Sequence, residues 1–268
     1  MKMKVSVLIP VFLFAAFGHS LNAQILHTES FKVILDTSKV IKGSSMPSFR
    51  YRNVKKEFIE IENTADVSFR INNHALTIAN KLEYTIYGKE NLMSGGFVYL
   101  EYRNIQDNKI AFEPFMQMHW QEIRGMERKY AGGTNIRWRI LIKPDIGIYA
   151  GLGALYEYEC WNYSGVSEPS AVPSGAKSVE VKQFRGNSYL SVKKQFNDLF
   201  DLDVSIYYQP AIGGQSMSHR LASSSELTYN INQNFGLTVV YQNIYDSSPV
   251  VPIDKLFHDI NLGITLSF

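Results

Sequence analysis

Ile146-Gly147-Ile148-Tyr149-Ala150-Gly151-Leu152-Gly153-Ala154-Leu155-Tyr156-Glu157-Tyr158-Glu159-Cys160 alternates without a break between two kinds of side chain. The even positions (Ile146, Ile148, Ala150, Leu152, Ala154, Tyr156, Tyr158, Cys160) make an apolar face; the odd ones (Gly147, Tyr149, Gly151, Gly153, Leu155, Glu157, Glu159) make a mixed one that ends in two carboxylates. A period of two is the signature of a strand with unlike surroundings on its two faces. The same alternation recurs at 58–71, 75–87, 110–121, 130–142, 201–209 and 235–242, and in the last segment Ile260, Leu262, Ile264, Leu266 and Phe268 alternate with Asp259, Asn261, Gly263, Thr265 and Ser267.

A soluble half-buried sheet shows the same parity, so further features must choose. Many segments exceed the ~9–11 residues that cross a bilayer when tilted, against ~5–6 in globular proteins. Counted back from the C-terminus, the intervening segments are expected to alternate between long (246–255, 210–217, 162–177) or moderate (122–127, 88–95) and short (231–234, 197–199, 143–145, 105–109, 72–73). Transmembrane barrels pair short periplasmic turns with longer outside loops, and Asn72-Asn73, Lys143-Pro144-Asp145 and Asn197-Asp198 carry turn chemistry at the short positions. The aromatic Phe268 in last place suits an insertion signal read by the barrel-assembly machinery.

These segments predict an all-β, antiparallel, up-and-down transmembrane barrel. Eleven strands are read between 55 and 268, and the even number of bacterial barrels asks for a twelfth. Its expected place is 28–41, where Phe31, Val33 and Leu35 alternate but Ile34 and Lys39 interrupt; a ten-strand barrel with an irregular N-terminal section is the alternative.

Residues 1–23 read as a cleavable secretory signal: Lys2 and Lys4, an apolar run from Val5 to Phe17, then Ser20-Leu21-Asn22-Ala23 before Gln24. The barrel is then 24–268. Losing the two lysines takes the 27 basic residues to 25, equal to the 25 acidic ones, so the mature chain is near neutral and gives no support to nucleic-acid binding. Cys160, the single cysteine, excludes an intramolecular disulfide and a cysteine-cluster metal site.

Several short stretches between Gly96 and Phe268 carry a family likeness: Phe112-Glu113-Pro114-Phe115-Met116-Gln117, Tyr130-Ala131-Gly132-Gly133, Gly151-Leu152-Gly153 leading to Tyr156-Glu157-Tyr158-Glu159, Tyr207-Tyr208-Gln209-Pro210, and Tyr245-Asp246-Ser247-Ser248-Pro249. On these residues the chain resembles the salt-induced outer-membrane protein family, a bacterial family of unknown function. The resemblance implies an outer-membrane location and expression under osmotic stress, and it supplies no substrate and no site.

If the apolar parity meets lipid, the other parity fills the lumen. It places Glu60, Glu62, Asp66, Lys81, Glu83, Glu113, Arg137, Arg139, Glu157, Glu159, Arg185, Lys193, Asp203, Arg220 and Glu226 inside. Register arithmetic expects Glu113 near Arg137 and Arg139, Glu159 near Arg185, and Lys193 near Asp203. Three functions fit such a lining: a plugged structural barrel knit by paired ions, a narrow pore for small solutes or ions, and a lipid hydrolase built on His119 with Ser188 or Ser191. The first is the main expectation, without enzymatic activity, cofactor or metal. Trp120, Trp138, Tyr156, Tyr158, Tyr208 and Phe268 have lipid-facing parity and suit interfacial girdles. Trp161 falls off parity at a strand end, Gly151 and Gly153 relieve crowding, and the Ser/Pro/Gly-rich 162–177 reads as an unconstrained exposed loop. The expected partners are outer-membrane lipid and, during biogenesis, the secretion and barrel-insertion machinery; the oligomeric state is left open.

Overall fold

The computed structural model describes residues 40–53, 56–105, 109–197, 199–213 and 218–268. Residues 1–23, the expected export signal, lie outside these residues. Twelve strands follow in order: β1 (Ile41–Asn53), β2 (Glu57–Ile71), β3 (His74–Tyr87), β4 (Glu90–Ile105), β5 (Ile110–Gln121), β6 (Met126–Lys143), β7 (Ile146–Asn162), β8 (Ser178–Gln195), β9 (Phe200–Ile212), β10 (His219–Asn230), β11 (Phe235–Asp246) and β12 (Leu256–Ser267). Each pairs antiparallel with its sequence neighbours, and β1 meets β12 to close the barrel. All twelve exceed the lower limit for crossing a bilayer.

Two expectations need correction. The closing strand is Ile41–Asn53, not 28–41, most of which lies outside the described residues. The Gly, Ser and Pro of Gly43-Ser44-Ser45-Met46-Pro47-Ser48 hide it, since these residues are poor in strand interiors. Likewise 88–95 is not a loop: β4 starts at Glu90, leaving a turn of only 88–89. Gly95, which reads as a loop residue, sits within β4; a Cβ on it would meet the Gln121 amide oxygen at 2.6 Å.

One barrel end carries the connections 72–73, 106–109, 144–145, 196–199 and 231–234, none above four residues. At two of these an asparagine side chain replaces backbone pairing: Asn197 Oδ1 accepts from the amides of Leu199 and Phe200 at 2.9 and 3.0 Å, and Asn232 Oδ1 from those of Asn234 and Phe235 at 2.8 and 3.0 Å. The opposite end carries 54–56, 88–89, 122–125, 163–177, 213–218 and 247–255. Its loops are long only between β7 and β12, so the asymmetry covers half the barrel.

Outward side chains are apolar and exposed, Leu262 at 72% and Met116 at 60%, whereas the inward Glu113, Glu157 and Arg220 are each 1% exposed. Outward charges on the described strands (Glu57, Glu127, Arg128, Lys143, Glu180, Lys182, Lys194) all lie within five residues of a strand end. Large inward rings fill the interior: Tyr99, Tyr149, Tyr189 and Tyr207 are all buried. Gly151 makes room for one of them, since a Cβ there would stand 2.0 Å from the Tyr189 ring.

Candidate functional site: the charged lumen

Glu157 and Glu159 share the inward parity of β7 and stand two residues apart, about 6.6 Å along the strand. This spacing lets long cations from other strands reach both. Lys129 of β6 places Nζ 2.9 Å from Glu157 and 3.0 Å from Glu159. Arg220 of β10 spends its whole fork: Nη1 reaches Glu157 at 3.0 Å, Nη2 reaches Glu159 at 2.9 Å, and Nε reaches Asp246 of β11 at 2.8 Å. Arg185 of β8 donates to Glu157, and the Trp161 indole donates to Glu159 at 2.9 Å. Three carboxylates therefore face three cations, and the layer is neutral. Such ions tolerate burial only when paired and hydrogen-bonded.

A second layer lies nearer the short-turn end. Arg103 of β4 bridges Glu101 at 2.7 Å and Glu113 of β5 at 2.6 Å, with Arg137 of β6 at 3.5 Å from Glu113. Two phenols complete it, Tyr99 donating to Glu101 at 2.6 Å and Tyr189 of β8 to Glu113 at 2.7 Å. The Arg137 guanidinium also lies 3.9 Å from the Tyr149 ring centre. Tyr189 reaches from β8 to β5, so this layer, like the first, ties strands that are not neighbours in the wall.

A third cluster sits beside the closing strands. Lys81 of β3 holds Glu83 of its own strand, Glu62 of β2 at 3.0 Å and Asp259 of β12 at 4.0 Å. Asn261 of β12 donates to Glu62 at 2.7 Å.

The residues expected to pair are only partly brought together. Lys193 and Asp203 stand 2.5 Å apart, and Glu226 faces Asp203 in the register. Glu159 faces Val181 on β8, which leaves Arg185 four residues, about 13 Å, along the strand; Arg185 turns to Glu157 instead. Arg139 is four residues from Asn135, the register partner of Glu113, and the second cation on Glu113 is Arg103. Ser188 faces outward, donating to the Tyr208 carbonyl at 3.2 Å. His119 shares a row with Val181, ten residues or about 33 Å from Ser191 along β8. Neither serine is near the histidine, and the hydrolase arrangement is not assembled.

Sequence reasoning missed Lys129, Glu101, Arg103 and Asp246. Glu101 and Arg103 follow from the parity of β4 itself, and Lys129 and Asp246 once β6 and β11 are extended to their full lengths. It also missed the cap at the long-loop end. Residues 122–124 form a single 3-10 turn closed by Gly125 at φ 80. The Arg124 guanidinium, buried, lies 3.5 Å from the Phe257 ring centre and 5.8 Å from that of Trp161. Burial is the main cause that pulls its pKa down to about 10, and it remains a cation at neutral pH. Around it Met126, Trp161 and Val251 form an apolar cluster with Tyr163, Val166, Val179, Val250 and Ile253. Trp161 is thus an inward anchor, and the start of the 163–177 loop is tied down, not unconstrained.

Outward aromatics gather near both strand ends. Tyr130 stacks on Tyr158 at 6.2 Å, Tyr156 meets Phe184 at 4.8 Å, and His219 lies between Tyr208 and Tyr245, all toward the long loops; Phe200 meets Tyr229 at 5.2 Å toward the short turns. Trp120 lies toward the long loops and Trp138 toward the short turns, while Phe268 exchanges both backbone bonds with Gly43 at 3.1 Å.

Comparison with solved structures finds the NanC porin (14% identity, TM-score 0.45, covering 86% of this chain and 99% of that one) and the KdgM porin (11%, 0.42, 85% and 99%). It also finds the translocator domain of the autotransporter NalP from Neisseria meningitidis (10%, 0.43, 85% and 87%). No curated protein matches the sequence. Residues 61–268, which carry every member of the three charge clusters, match the family model described as "Protein of unknown function, DUF481", and the chain belongs to that family.

Proposed function

We propose that the mature chain is an outer-membrane barrel with a structural role in the envelope, its lumen closed by ion-paired side chains. The membrane address rests on sidedness. Phe200 and Tyr208 are eight residues apart on β9, about 27 Å along the strand and, at a tilt of about 40°, about 20 Å in height, near the ~25 Å apolar band of such barrels. Charge is kept out of that band on the outer surface and concentrated within. Residues 1–23 serve as the export signal in this reading, and the osmotic-stress role implied by the family resemblance belongs to the same proposal.

The observation that carries the closed lumen is Arg220, whose guanidinium joins β10 to carboxylates on β7 and β11 at 1% side-chain exposure. A water-filled eyelet would leave such groups hydrated. Reconstituted into planar bilayers, the protein is expected to carry no steady current; a stable, ion-selective conductance would replace this reading with the pore. Comparing protein levels in cells grown at low and high salt checks the stress role, and levels indifferent to salt would remove it.

A further inference from the structure

β1 and β12 close the barrel, but not along their whole length. Gly43 and Phe268 exchange both backbone bonds at 3.1 Å, so the odd residues of β1 aim their amides at β12. The register continues through Ser44 opposite Ser267 and Ser45 opposite Leu266. The next residue due to donate is Pro47, which has no N–H, and among the described residues no β1–β12 pairing follows it. Above that point β1 is paired only with β2, through Asn53 opposite Glu57, and β12 only with β11, through Leu256 opposite Tyr245. Residues 47–53 are exposed on both faces of the strand. A proline is at home on a strand edge whose amides are not needed, and here it ends the seam.

The two rims of this gap differ in chemistry. Outside stand Phe49, Tyr51, Ile260 and Leu262, the last at 72% exposure. Inside stand Glu62 and Asp259, part-exposed at 20% and 12%, beside Lys81 and Glu83. Three carboxylates surround the one ammonium of Lys81. The axial route is obstructed by the Arg220 layer and the Arg124 cap, so the seam is where the polar interior meets the apolar exterior. Uncovered strand edges are unfavourable in hydrocarbon, and an occupant is called for.

We propose that the upper β1–β12 seam is a lateral binding site for a single-chain amphiphile with a cationic head, the head on Glu62 and Asp259 and the tail between Phe49 and Leu262. This rests on the membrane reading above. The barrel reconstituted in phosphatidylcholine vesicles is treated with two photoreactive C12 probes that differ only in the head, a primary ammonium or a carboxylate. The ammonium probe is expected to label peptides 46–53 and 256–264 in preference to the rest of the belt. Asp259→Asn is expected to weaken that labelling about tenfold, as for one lost charge-assisted contact, and Pro47→Thr, which restores a donor and extends the ladder, to reduce it as well. Equal labelling by both probes, labelling spread evenly round the belt, or cross-links from the seam to a second copy or to residues 24–39 would overturn the site. If the protein does not enter vesicles and no strand is labelled, the membrane reading itself fails; belt labelling without seam preference refutes only the site.

Discussion

Glu157 is touched by Lys129, Arg185 and Arg220, cations from three different strands. Removing one cation therefore strands carboxylates rather than deleting a bond. Arg220→Ala leaves the buried Glu157, Glu159 and Asp246 one charge short, a loss of about 3–5 kcal/mol if nothing rearranges. The expected readout is a clear fall in the urea midpoint of the vesicle-inserted protein; a midpoint within error of wild type would show that water already enters this layer. Lys193→Ala, at a side chain 14% exposed that pairs with Asp203, is expected to shift the midpoint far less. The inward placement of these side chains was legible in the alternation, because parity is a local property of each strand. Their partners were not. Which cation meets which carboxylate depends on register across strands distant in the chain and on two-residue offsets, so Glu159 was matched to Arg185 and Lys129 was overlooked.

Strands rich in β-branched and aromatic residues announce themselves, and β5 to β12 were read close to their observed bounds. β1 and the start of β4 were not, because both use glycine, serine or proline for reasons that belong to the closed barrel: Pro47 ends a ladder, and Gly95 yields space to Gln121. Those reasons do not exist until the neighbouring strand is in place. The cap was equally hidden, since Arg124 sits outside every alternating segment and gains its rings from β7 and β12. Arg124→Ala removes the guanidinium that packs on Phe257, and is expected to release the 163–177 loop. Limited proteolysis of intact vesicles should then cut within that loop several times faster than in wild type, with the strands still protected. Unchanged cleavage would mean that Trp161 and Val251 hold the cap alone.

At the level of the whole barrel, the membrane reading makes stability depend on which face meets lipid. A lysine at Ile78, outward near the middle of β3, should cost about 2–4 kcal/mol in a bilayer and far less at the rim position Ile71; a signal-less chain that stays folded and monomeric in plain buffer would contradict that partition altogether. The interior adds a constraint on assembly. Arg220 and Glu157 are 63 residues apart in the chain yet share hydrogen bonds at 3.0 Å, and Asn261 meets Glu62 across 199 residues. A half-zipped sheet holding β7 but not β10 displays two carboxylates awaiting a guanidinium still to be threaded. Curling shut is what neutralises them: only a ring that has brought β10 round to β7 and β11 gives every carboxylate of this layer its cation.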